Sequence, residues 1–234
     1  MGIDHAEQYA NRLMERLKAE AVPENQEAME AYMKNQFHFL GIRTPERKQI
    51  LKDFIKESGY PETPEDLKKT VIILFQSSFR EYAYAGLDLL IKRKKHLHSG
   101  DLTFLEKLIL TKPWWDTVDL LASHIAGYLL SSEPASSTVT EQWVEHESIW
   151  MKRTALLFQL KYKDQTDSDK LGRIICRLSD SNEFFLQKAI GWALREYSKT
   201  NPEWVIQFTA QNELKPLSKK EALKIISRQQ DFSL

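Results

Sequence analysis

Apolar residues recur along most of the chain at the three- and four-residue intervals of helices that bury one face. Over residues 5–20 and 24–39 this pattern predicts two helical segments, parted at Val22-Pro23. A third begins in Gly41–Arg47, with Thr44 as N-cap and Pro45 at the first helical position, and continues through Asp53, Phe54 and Ile55 to Gly59. Pro61–Pro64 and Glu133–Ser137 read as short turns, and no run of alternating strands with hairpin turns appears. Thr111–Pro113 reads as another helix start, with Pro113 near the first helical position. Its apolar stripe is Trp114, Val118, Leu121, Ala122 and Ile125. At about 100° per residue, Trp115 and Asp119 lie roughly 75–115° to the side of that stripe, one turn apart and facing the same way.

The starts repeat. Thr44-Pro45, Phe79-Arg80, Trp114-Trp115, Trp150-Met151, Phe184-Phe185 and Leu217–Lys220 fall roughly 35 residues apart, the period of helix-pair solenoids. Later units follow their aromatic with a small residue and an apolar helix, as in Trp150–Lys163 with Ala155-Leu-Leu-Phe and in Phe184 with Ala189-Ile-Gly-Trp. The expected fold is all-α: a right-handed superhelical solenoid of about six HEAT-like helix pairs, one domain over residues 1–234. A non-repeating helical bundle is the alternative.

Composition narrows the function less than the pattern narrows the fold. Lys plus Arg and Asp plus Glu both number 33, so net charge selects no partner. The distribution is uneven: residues 151–234 carry 15 basic and 10 acidic side chains, which permits a polyanionic partner. The single cysteine, Cys176, excludes an intramolecular disulfide and suits a reducing compartment. Apolar runs such as Val71–Phe75 are too short to span a bilayer, and the N-terminus has no signal pattern. A cytoplasmic monomer without membrane attachment is expected.

Four side chains stand out at or near matching positions of successive repeats. Trp115 and Asp119 share a direction, Arg153 lies beside an apolar stripe, and Trp192 lies off the Leu186, Ile190, Ala193, Tyr197 stripe. Each has a plainer account: a groove tryptophan beside a solvated aspartate, an arginine snorkelling over a helix end, an indole packed on the next repeat. Common hydrolase signatures are absent, and so is a zinc-type Cys/His cluster; His96 and His98, two apart in a Lys/Arg run, suit solvent better than metal. Two indoles and a carboxylate suit a cationic centre, and an arginine suits a phosphate. Together they fit a nucleic-acid substrate that carries or develops positive charge.

These residues sit in motifs that resemble a known family. Tyr32-Met-Lys-Asn, Phe39-Leu-Gly-Ile-Arg-Thr-Pro-Glu-Arg, Thr111-Lys-Pro-Trp-Trp-Asp-Thr-Val-Asp, Phe158-Gln-Leu-Lys-Tyr-Lys, Lys188-Ala-Ile-Gly-Trp-Ala-Leu-Arg-Glu-Tyr and Leu214-Lys-Pro-Leu-Ser-Lys-Lys-Glu-Ala occur in that order. Over about residues 28–228 the chain resembles the AlkD-like bacterial DNA glycosylases. The resemblance implies a HEAT-like superhelix that excises N3- and N7-alkylated purines from double-stranded DNA, without metal or other cofactor and without flipping the base. It places Asp119 on the family's catalytic carboxylate, Trp115 and Trp192 on the aromatics flanking the lesion's deoxyribose, and Arg153 on an arginine contacting phosphate. Tyr32 and Arg195 fall on its DNA-facing side. Arg43 stands where family members carry glutamine, at a point of strand contact. A monofunctional glycosylase is expected; the alternatives are a non-catalytic HEAT-repeat binder of DNA or RNA structures and a protein scaffold. The reading requires Asp119, Trp115 and Trp192 to meet on one open face.

Overall fold

The computed structural model describes residues 4–131 and 136–231. Among them the regular structure is helical, with one isolated bridge between His38 and Phe79. Where the sequence reads as one domain over 1–234, the contacts group it into two compact units, Met1–Lys112 and Pro113–Leu234.

The first unit holds α1 (His5–Ala19), α2 (Pro23–Tyr32), α3 (Thr44–Ser58), α4 (Pro64–Gln76), α5 (Arg80–Arg93) and α6 (Leu102–Leu110). Their starts follow ordinary capping chemistry: Asp4 accepts from the Ala6 N–H and Thr63 from the Asp66 N–H, each satisfying an amide with no partner inside its helix. Leu13, Leu17, Leu51, Val71, Leu74, Leu87 and Leu90 form the core where α4 packs on α1 and α5. The segment predicted as helix over 24–39 stops at Tyr32, because Lys34 and Asn35 turn left-handed at φ 58° and 55°. The N-cap expected at Thr44 belongs to Arg43 instead, with Thr44 as the first helical residue.

Between α2 and α3 the Phe39–Arg43 segment is held by a buried carboxylate. Glu81 accepts hydrogen bonds from the Leu40, Gly41 and Ile42 amides at 2.9–3.1 Å. Burial pushes its carboxyl up, and these amides pull the other way. Gly41 is required there: φ is 84°, and a Cβ would stand 2.0 Å from the Val22 carbonyl oxygen. Lys112 shows why Pro113 is not at the helix start that was expected. It turns left-handed at φ 45°, caps the Gln76 and Ser77 carbonyls through Nζ, and accepts from Arg80 Nη1.

The second unit begins with α7 (Trp115–Leu120), a π-helical stretch (Leu121–Ala126) and α8 (Gly127–Leu130). It continues with α9 (Ser136–Glu145), α10 (Ile149–Leu157), α11 (Ser168–Leu178), α12 (Phe184–Tyr197), α13 (Pro202–Gln211) and α14 (Pro216–Asp231). Residues 132–135, most of the turn expected at Glu133–Ser137, lie outside the described residues, and α9 begins at Ser136. Helices α7, α10, α12 and α14 stack in sequence, while α9 packs on α10 and α11 and α13 packs on α12 and α14. The stacked row begins at residues 115, 149, 184 and 216, close to the interval read from the aromatic landmarks. The helix predicted over Trp150–Lys163 ends at Leu157, and the chain turns through 158–161.

Helices α12 and α14 pack tightly at Gly191, where a Cβ would stand 2.5 Å from Glu221 Cβ and 2.9 Å from the Ser218 carbonyl oxygen of α14. Gly191→Ala is therefore expected to destabilise the chain by about 1–3 kcal/mol through overpacking, measured as a lowered urea midpoint at unchanged m-value.

Candidate active site

Aromatic residues from three repeats form a packed floor at the starts of their helices. Trp114, the N-cap of α7, stands 5.6 Å from Trp150 and 5.0 Å from Phe185 between ring centroids, and Trp150 and Phe185 are 5.0 Å apart. The tilted and edge-on arrangements are those favoured by ring quadrupoles. Trp114 Nε1 is buried without a hydrogen-bond partner, so packing area is what holds that indole. The repeated aromatic landmark is thus a device for fixing the starts of α7, α10 and α12 against one another.

Arg153, one turn into α10, crosses this floor and is 4% exposed. Its Nε donates to Asp119 Oδ1 at 2.6 Å and its Nη2 to Asp119 Oδ2 at 2.8 Å, a bidentate pair. Its Nη1 donates to the Phe185 carbonyl. One guanidinium therefore joins α7, α10 and α12. Asp119 is 8% exposed. Burial pushes its carboxyl above the ordinary value of 3.8, Arg153 pulls it down, and Asp116 adds a smaller upward push.

Asp119 is more buried than its position beside the apolar stripe implied, because the buried Arg153 guanidinium lies across both of its oxygens. Leu121–Ala126 winds as π-helix, with the Gly127 N–H reaching back to the Ala122 carbonyl. Hydrogen bonds of this i→i+5 kind widen the turn, while Leu121, Ala122 and Ile125 stay fully buried. Ser123 Oγ donates to the Asp119 carbonyl at 2.7 Å within this stretch.

Asp119 is not sealed off. It borders a cleft of ≈ 460 Å³ lined also by Leu120, Ser123, His124, Leu160, Lys161, Lys163, Trp192 and Glu196. Trp192 and Glu196 are four apart on α12 and share that face, while Leu160, Lys161 and Lys163 come from the segment after α10. The cleft thus offers two carboxylates, the desolvated Asp119 and the half-buried Glu196, with one imidazole, one indole and two ammonium groups.

A family model for the DNA alkylation repair enzyme matches residues 13–226. The chain belongs to that family. Among solved structures it is similar to a chain named as a predicted DNA alkylation repair enzyme from Enterococcus faecalis, at 35% identity and a TM-score of 0.80, over 88% of this chain and 96% of that one. No curated protein matches significantly.

Within this member of the DNA alkylation repair family, the expected site residues divide. Asp119, Arg153, Trp115, Trp192 and Arg195 lie in the second unit; Tyr32 and Arg43 lie in the first. Asp119 and Trp192 share the cleft and Arg153 grips Asp119, whereas half-buried Trp115 is not among the cleft's lining residues. The Arg153 guanidinium, expected on phosphate, is spent on Asp119 and the Phe185 carbonyl. Arg195 pairs with Glu221, which Lys188 also engages at 3.1 Å. Tyr32 ends α2 and is 69% exposed, and Arg43 donates weakly to Asn25 Oδ1 at 3.4 Å. Lys161, Lys163 and Glu196 were not singled out in the sequence, although all three lie inside motifs that carry the resemblance. Among the described residues no helix is long and apolar enough to cross a membrane, and no three His, Cys, Asp or Glu side chains are grouped to hold a metal ion.

Removing the carboxylate strands a buried cation, so Asp119→Ala is expected to cost about 3–5 kcal/mol, read by urea denaturation. The same carboxyl binds its proton more tightly in the folded chain than in the unfolded one. Its contribution to stability is therefore full below 3.8 and is lost as pH rises through the raised value. Wild-type stability relative to Asp119→Asn should fall as pH rises across that window, measured by melts at stepped pH.

Proposed function

We propose that this protein is a monofunctional DNA glycosylase that removes cationic N3- or N7-alkylated purines from double-stranded DNA. The observation that carries the reading is one cleft bordered by the Asp119 carboxylate and the Trp192 indole, with the carboxylate fixed from behind by a buried arginine. Family membership supports a role in DNA alkylation repair.

Alkylation at N3 or N7 makes the purine a cation and a good leaving group. As the C1′–N bond lengthens, its electron pair moves to the base, which becomes neutral, and positive charge develops on the deoxyribose. Asp119 opposes that charge electrostatically, and the indole face of Trp192 adds a cation–π contribution. Water then bonds to C1′ and its proton passes to solvent, leaving an abasic site.

Arg153 acts in this scheme on the carboxylate instead of on phosphate. Both Asp119 oxygens are tied to one guanidinium, so the group is preorganised and needs no reorientation as charge develops. Arg153 also opposes the effect of burial, favouring the ionised form that the chemistry uses. Tyr32, Arg43 and Arg195 remain the positions for strand contacts, Arg195 by exchanging Glu221 for a phosphate.

The test is incubation with duplex DNA carrying N7-methylguanine, scoring released base and alkali-labile sites. Wild type is expected to release base, and Asp119→Asn to slow release by about 10²-fold or more while still binding duplex. Borohydride should trap no covalent enzyme–DNA adduct. Binding without excision would mark a non-catalytic member of the family and sink the proposal. The rate should rise with pH through a value above the ordinary aspartate range, because the ionised carboxylate is required and burial raises its protonation point. Asp119→Asn should lack that rise.

A further inference from the structure

The cleft contains two cations that the chemistry above does not use. Lys161 and Lys163 both line it, both are exposed, and among the described residues no ion pair or hydrogen bond engages either ammonium group. Their segment is not a loose loop, because it is anchored at both ends and in the middle. Gln159 forms a reciprocal pair with Asp167: Nε2 donates to the Asp167 carbonyl at 3.2 Å, and the Asp167 N–H donates to Oε1 at 2.8 Å. Between them the Tyr162 hydroxyl donates to the Gly127 carbonyl at 2.7 Å, at the end of the π-helical stretch that follows Asp119. Burial holds that phenol up at about 12, so it remains a neutral donor throughout the working range. Phe158 packs edge-on against the same ring at 5.8 Å.

The two lysines flank this anchored tyrosine. Lys163 is further held in a left-handed turn at φ 54°, a conformation that costs a side-chain-bearing residue roughly 1–2 kcal/mol. Backbone strain held in place by surrounding contacts points toward a use for the group it presents. Arg153, the cation expected to hold phosphate here, is buried and fully occupied by Asp119 and Phe185. The cleft nevertheless needs positive charge for a polyanion to approach a carboxylate.

We propose that the Leu160–Thr166 segment is a preformed phosphodiester clamp, with Lys161 and Lys163 each engaging a backbone phosphate of the DNA strand seated over Asp119 and Trp192. This rests on the DNA reading of the same cleft. Each ammonium group offsets the repulsion between Asp119 and the strand, and each displaces condensed counterion from the duplex. Their fixed placement means that little side-chain-bearing backbone must be ordered on binding. Both groups are solvated, which suits a phosphate contact and not a desolvated amine nucleophile.

The experiment measures the affinity of the full chain for an end-labelled undamaged duplex by fluorescence polarisation over a series of salt concentrations. Lys161→Gln with Lys163→Gln is expected to weaken binding and to lower the slope of log K against log salt by about 2. Lys161→Arg with Lys163→Arg should keep the wild-type slope. Lys199→Gln, removing a lysine already paired with Glu196, should also leave it unchanged. An unchanged slope in the double glutamine variant overturns the clamp even if wild type excises N7-methylguanine. A clamp-dependent slope without excision overturns the glycosylase reading and leaves the clamp standing. Absence of salt-dependent duplex binding by wild type overturns both.

Discussion

One buried guanidinium holds the candidate site together. Arg153 spans from the Asp119 carboxylate to the Phe185 carbonyl and so links three consecutive helices of the stacked row. A buried ion pair is weak evidence for stability, since desolvation offsets much of its attraction. Its value here is directional. A lone carboxylate bordered by apolar residues would take up a proton, and a mobile one would have to reorient as charge appeared. Arg153 opposes the first, although burial still leaves the carboxyl above its ordinary value, and prevents the second by occupying both oxygens beside the cleft.

The remainder of the second unit supports that geometry. The cluster of Trp114, Trp150 and Phe185 fixes the helix starts from which Asp119, Arg153 and the Phe185 carbonyl project. At the other side of the cleft, α12 contributes Trp192 and Glu196 and is held against α14 by glycine-tight packing and by the Glu221 pairs to Lys188 and Arg195. Those cations keep the Glu221 carboxyl below its ordinary range. In the first unit, Glu81 performs a comparable service for Phe39–Arg43, gathering three amides so that the following Arg43 is set at the start of α3.

The all-α fold and the 35-residue rhythm were legible because burying one helical face imposes its period on the sequence, and because the landmarks Trp114, Trp150 and Phe185 pack on one another. Asp119 and Trp192 were legible through their motifs, and the structure gives them a common cleft. The burial of Asp119 was not, because the guanidinium that covers it comes from the next repeat and only coordinates show the pair. Lys161 and Lys163 were hidden for a different reason: residues 150–163 read as continuous helix, while the chain leaves the helix at Leu157 and spends Gln159 and Tyr162 on backbone acceptors. The role of Arg153 also needed coordinates. An arginine beside an apolar stripe is equally compatible with a phosphate outside and a carboxylate inside, and only the distance to Asp119 decides which it meets.

The wide turns after Asp119 give this chain a length constraint as well as a shape. Because Leu121–Ala126 is wound with five-residue steps, the helix accommodates residues that tighter coiling would place differently. Deleting one residue there could let the segment relax to ordinary coiling. The carboxylate would then rotate out of line with its guanidinium, and the Gly127 carbonyl that receives Tyr162 would rotate with it. Within this short span, spacing is therefore as binding as residue identity.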